Sequence, residues 1–238
     1  MTAALRMIRW DILLQIRGHL YSATAISTLA LCLVGYLIQP LDLSPKWLSL
    51  LLFTDPAIIG LSFVGAFVLV ERGTNTLSAL ATSPLQGRTY VLGKVVSFSI
   101  LGTLSGGLVA VVASGGSLKY PVMATSLVLT NVAAIIVGFA LVSRASSVNR
   151  FITSMSFALA IGVLPLVPYF ASDPSPLMLS LVIIPSYSML TVLEAGFSGS
   201  QVSVTEYVIS SGYLLLWIIA GWGWSVREYE TRLRTYER

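Results

Sequence analysis

Residues 47–94 read WLSLLLFTDPAIIGLSFVGAFVLVERGTNTLSALATSPLQGRTYVLGK. The first half, 47–70, holds one charge, Asp55, in 24 residues. As a helix it would be about 36 Å long, enough to cross roughly 30 Å of hydrocarbon. The second half opens on Glu71-Arg72, turns polar, breaks at Pro84 and closes on Gly93-Lys94, after which another charge-free run begins. A membrane span, a polar connection and a second span make this an integral membrane protein.

The rest of the chain agrees. Among 238 residues only 24 are charged, where an ordinary soluble domain would carry about 60, and the mean hydropathy is +0.85. Charge-free stretches of spanning length predict six transmembrane helices at 20–41, 47–70, 95–118, 120–143, 151–172 and 207–226. The predicted fold is an all-α membrane protein forming a single transmembrane domain over 1–238. Twelve of the 14 Lys and Arg residues then fall on the side that holds both termini, and only Lys46 and Lys119 face the other. That asymmetry places the termini in the cytoplasm, and it accounts for the basic balance without nucleic acid.

Residues 174–205 carry Pro174, Pro176 and Pro185, which oppose a continuous seventh helix. A seventh crossing would also put the four arginines of the tail, 227–238, outside. The segment is therefore expected to be re-entrant, dipping into the outer leaflet and returning. At the other terminus, Leu5, Ile8, Ile12, Leu13 and Ile16 share one helical face. They predict an interfacial amphipathic helix over 4–17. Tyr213, Trp217, Trp222, Trp224 and Tyr229 are read as interfacial aromatics of the last span.

Little chemistry is available. One Cys (Cys32) and one His (His19) exclude a disulfide framework, a zinc finger and a membrane-embedded His relay. Gly87-RTYVL-Gly93-Lys94-Val95 departs from a phosphate-binding loop by its five-residue spacing and missing hydroxyl. Gly93 is read as a close-packing position, and Lys94 as a side chain snorkelling to the interface. No ATP or Mg²⁺ cofactor, no metal and no catalytic residue is expected in this chain. Asp55 admits two readings, a cation or proton contact near the outer mouth, or an N-cap with Pro56 in the first turn of a helix. The cap is the plainer one. Glu194 and Glu206 read as solvated surface, and the membrane interior as almost free of polar side chains. The glycines of Gly102-TLS-Gly106-Gly107 form a small-residue face, read as packing within the subunit in preference to a dimer seam.

Glu-Arg, Gly-Thr, a leucine turn, Thr-x-Pro-Leu and the Gly-Lys approach to the third span, with the six-span order and the broken segment 184–197, resemble the permease subunits of type-2 ABC exporters. The resemblance is nearest to short bacterial permeases of the fluoroquinolone-export type. It implies a cytoplasmic coupling helix in the loop 71–88, with Arg72, Thr74, Leu77, Leu80 and Ala81 touching an ATPase. It also implies two copies of a separate ATPase subunit and a second permease chain, identical or a sister, in a bacterial cytoplasmic membrane. The substrate, a hydrophobic or amphipathic drug, lipid or metabolite, would pass between the first, second and fifth spans. Along that route Phe63, Phe67, Phe151, Met155 and Phe157 become lining candidates beside Asp55. The alternatives are the substrate-binding membrane subunit of a vitamin-type importer and an intramembrane enzyme.

Overall fold

The computed structural model describes residues 3–74, 87–173 and 175–236, and among these it is helical throughout, with no strand. The helix α1 (Ala3–Arg17) leads into α2 (Leu20–Ile38), followed by a 3-10 turn at Gln39–Leu41. The second span is α3 (Pro45–Pro56), a π-helical stretch Ala57–Phe63, and α4 (Val64–Gly73). Then come α5 (Gly87–Ala113), α6 (Tyr120–Arg144), α7 (Val148–Val163) with its short extension α8 (Leu166–Phe170), and the pair α9 (Pro176–Leu179) and α10 (Pro185–Ala195). The chain ends on α11 (Val204–Tyr236). Among the described residues six helical stretches are long and apolar enough to cross a membrane.

Between α1 and α2 the chain turns at Gly18-His19, where His19 takes the left-handed conformation (φ 56°) and lets the two helices diverge. The first, fourth and sixth spans lie close to where hydropathy puts them. The third does not: its helix begins at Gly87, eight residues before the charge-free run, and carries Lys94 fully buried within it. Hydropathy ends a span at a charge. A charge that finds partners inside the protein continues it.

The bundle is built around α5 and α6. In their most apolar stretches 56 % and 61 % of residues are buried, against 17 %, 17 % and 11 % for the first, fifth and sixth spans. Glycines make the central crossings possible. A Cβ on Gly138 would lie 2.3 Å from the Gly60 carbonyl oxygen, and one on Gly60 2.6 Å from Ala134 Cβ, so the second and fourth spans touch backbone to backbone. Gly102 and Gly106 of α5 make room for the side chains of Asn131 and Leu127 of α6, which is packing within the subunit. The outer faces of α2 and α7 remain apolar and uncovered: Ile26, Leu29, Leu33 and Leu37 on one, Ile152, Phe157 and Ile161 on the other.

The proline-rich segment is a bent helix pair. Pro176–Ile183 and Pro185–Ala195 meet at 85°, since Pro185 starts a new helix where its missing N–H costs nothing. From Ser186 to Ala195 only Tyr187 is incompletely buried, and α10 packs on α3, α6 and α11. Backbone bonds from Lys119 N to Gly196 O (2.8 Å) and from Ser198 N to Ser117 O (3.2 Å) fasten its end to the α5–α6 connection.

Candidate functional site

At the end of the bundle that carries α1, two helices converge on an ammonium group of a third. Lys94 Nζ of α5 donates to Asp11 Oδ1 of α1 and to Glu71 Oε1 of α4, each at 2.5 Å. Tyr90 donates to the other Glu71 oxygen at 2.5 Å and stacks on Tyr229 of α11, ring centres 4.5 Å apart. The Phe67 ring lies beneath the ammonium at 4.4 Å, in cation–π range. Lys94 and Asp11 have no exposed surface, and Glu71 has 5 %.

The approach of α1 depends on Gly93. A Cβ there would come within 2.8 Å of Met7 Cγ and 2.9 Å of Asp11 Oδ2, so the close-packing role expected of Gly93 holds. The snorkelling expected of Lys94 does not. One turn on, Gln15 Nε2 donates to Ser97 Oγ at 2.9 Å. The helix α1 thus turns its polar residues Asp11 and Gln15 towards the protein and leaves Leu5, Leu13 and Ile16 exposed, the reverse of a soluble surface helix. Burial pushes the Asp11 carboxyl up from 3.8 to about 6, against the lowering by Lys94, with Glu71 adding a smaller upward push.

This cluster brackets the connection expected to act as a coupling helix. Arg72, one residue past Glu71, donates to the Ala145 carbonyl at the end of α6 (3.0 Å). Thr74 closes α4 through its N–H and hydroxyl to Val70 O at 3.0 and 3.1 Å. The other bracket is α5, whose first turns carry Tyr90 and Lys94. Leu77, Leu80 and Ala81 lie outside the described residues.

The expected pathway residues do not form one wall. Phe63, Phe67, Phe151 and Met155 share the apolar core below the Lys94 cluster. Phe151 lies against Gly65, where a Cβ would fall 2.0 Å from its ring. Phe157 is 67 % exposed on the outside of α7. Asp55 belongs to a different seam, and it caps no helix, because Pro45–Pro56 runs through it. Fully buried, it accepts from Ser105 at 2.9 Å, and Ser105 Oγ lies 2.7 Å from Thr28 Oγ1 of α2. With Thr24, Ser97, Ser99, Thr130 and Asn131 also buried, the interior is considerably more polar than hydropathy implies. Small hydroxyls hide in an apolar average.

Two of the surface cavities among the described residues bear on function. The first, of about 660 Å³, lies at the end opposite the Lys94 cluster, between the bent helix pair and the start of α11. Lys46, Tyr169, Tyr187, Glu194, Glu206 and Tyr213 line it. Glu194, expected on solvated surface, is 5 % exposed and accepts from Tyr169 at 2.8 Å. The second, about 530 Å³, is an apolar groove between α6, α7 and α11, with Arg144 and Trp224 in its lining, the guanidinium 5.0 Å from the indole. Tyr229, expected at the interface, is 4 % exposed in the core.

Comparison with known proteins gives one consistent result. The family model of the fluoroquinolones export permease protein family matches residues 2–233. Two curated relatives, fluoroquinolones export permease proteins of Mycobacterium tuberculosis strains CDC 1551 / Oshkosh and ATCC 25618 / H37Rv, are each 28 % identical over 220 residues. The alignment covers 92 % of this chain and 90 % of each relative.

Proposed function

The chain belongs to the fluoroquinolones export permease protein family, and from that membership we propose that it is the membrane subunit of an ATP-driven exporter for hydrophobic or amphipathic compounds. The family match over 2–233 carries the reading. ATP is hydrolysed by a separate subunit, since the sequence holds no phosphate-binding loop. The Lys94 end faces the cytoplasm of a bacterial inner membrane, in keeping with the twelve-to-two distribution of Lys and Arg. Two chains build the membrane unit, and the uncovered apolar faces of α2 and α7 suit such a pairing.

The mechanism follows from what the Lys94 cluster joins. A motor that pushes on 75–86 pushes on both flanks of that connection. Glu71 on one flank and Lys94 on the other are locked to each other and to Asp11 of α1. The push therefore moves α1, the second span and the third span as one body rather than bending the loop. A buried ion cluster suits this role because it fixes geometry more than it adds stability.

The test is the double substitution Leu77→Asp, Leu80→Asp in permease purified with its ATPase partner and reconstituted in vesicles. Stimulation of ATP hydrolysis by the permease should fall to the basal level while its melting temperature stays unchanged. Full stimulation in that variant would refute the coupling role of the loop.

A further inference from the structure

We propose that the 660 Å³ cavity walled by α10 and the start of α11 is a binding site for an aromatic compound carrying a protonated amine. Its volume lies in the range of drug-sized pockets. Three observations give it a ligand chemistry.

The first is charge. Glu194 and Glu206 line the cavity with Lys46, and among the described residues none of the three has an ion-pair partner. The Lys46 ammonium donates to the Tyr169 carbonyl oxygen at 3.2 Å. Glu206 spends one oxygen, Oε2, on the Ser203 N–H and hydroxyl, and Glu194 spends Oε2 on the Tyr169 hydroxyl. Each carboxylate keeps a second oxygen without a hydrogen bond to any described residue. The lining carries one net negative charge, which favours a cation.

The second is aromatic surface. Tyr187 and Tyr213 approach from two elements, with the buried Tyr169 behind them in the wall, and rings of this kind bind flat aromatic bodies and organic cations by their faces. Third, Ser188 and Ser210 line the cavity, are 5 % and 8 % exposed, and hydrogen-bond to no described residue. Their oxygens open on the cavity rather than on packed protein, so they can bond to what enters it.

Physiologically this site would be the last station of the export route, and in that respect it rests on the reading above. Binding itself does not need an ATPase, so it is tested on permease alone in lipid nanodiscs by fluorescence anisotropy. The probes are the cationic xanthene dye pyronin and the anionic xanthene dye fluorescein. Pyronin should bind in preference to fluorescein. Glu206→Gln should weaken pyronin binding by about tenfold, the size expected for loss of a charge-assisted contact, and Glu194→Gln should act in the same direction. Lys46→Gln should tighten pyronin severalfold. Equal binding of the two dyes, or pyronin binding that ignores both Glu206→Gln and Lys46→Gln, overturns the assignment. Either failure leaves the export reading standing, because that reading falls only with the loss of coupled transport.

Discussion

The two ends of this bundle handle charge in opposite ways. At one end Lys94 sits without solvent exposure between two carboxylates, its attraction used up by Asp11 and Glu71. At the other, Lys46, Glu194 and Glu206 share a cavity without pairing. Moving a charge out of water costs several kcal/mol, which only good geometry and full hydrogen bonding offset. At the first end Lys94 and Glu71 meet that condition, and Asp11 meets it through one oxygen, Oδ1, while Oδ2 stays unbonded. At the second, Lys46 and Glu206 stay in water while Glu194 is buried in the cavity wall, and none of the three is spent on an ion pair among the described residues. A charge in a packed seam holds helices together; a charge on a cavity wall waits for a ligand.

The strongest way to break this contrast is Lys94→Met. It strands two carboxylates in a packed seam and should cost about 3–5 kcal/mol, read as a large drop in melting temperature in nanodiscs. Adding Asp11→Asn and Glu71→Gln removes the stranded charges and should recover most of the loss. A Lys94→Met variant as stable as the parent would mean the cluster is solvated, and the contrast would vanish.

Titration of Asp11 is the next largest effect. Its folded value, about 6 against 3.8, means the folded protein holds this proton more tightly than the unfolded chain does. The stability this adds is complete below about pH 3.8 and is lost as pH rises through about 6. The shift corresponds to something on the order of 3 kcal/mol at most. Between pH 4.5 and 7.5 the parent should therefore lose stability relative to Asp11→Asn, which has no proton to lose. A pH-independent difference between the two would contradict the burial of Asp11.

The spans were legible because hydropathy averages over 20 residues, and six apolar runs survive the average. The Gly102–Gly106 face was legible too, since small residues four apart have few other uses in a membrane helix. The Lys94 cluster was not. Its members stand 83 and 23 positions apart, each looks by itself like a charge at a membrane boundary, and nothing local says that α1 will fold back onto α5. Gly93 beside Lys94 was the available signal: a close approach next to a charge asks what approaches. Asp55 failed for a related reason. Asp-Pro reads locally as a helix start, but Ser105, fifty residues on, makes it a mid-helix partner. Glu194 looked solvated because proline-rich segments usually are.

Between the ends runs the α5–α6 seam, and Gly102→Ala tests whether it is as tight as the Lys94 end. The new methyl would fall 2.1 Å from Asn131 Oδ1, on a side chain whose amide is tied to Leu127 O at 2.8 Å. Overpacking of this kind costs about 1–3 kcal/mol, and the melting temperature should fall accordingly. No change would show that Asn131 swings freely and that the seam is loose.

The smallest effect on stability belongs to the cavity end, and its smallness is the point. Glu206 is exposed, but it is also the third residue of α11, where Ser203 and Glu206 form a reciprocal cap. Ser203 N–H donates to Glu206 Oε2 at 2.8 Å, and Glu206 N–H donates to Ser203 Oγ at 3.2 Å. Glutamine serves in that position as well as glutamate does, through its side-chain oxygen, so Glu206→Gln removes the charge and keeps the cap. The change in stability should stay within about 0.5 kcal/mol, the range of surface substitutions, while Glu206→Ala, which breaks the cap, should cost about 1 kcal/mol. A stability loss in Glu206→Gln as large as that in Glu206→Ala would mean the charge itself holds α11 in place, and the two ends would then differ in degree rather than in kind.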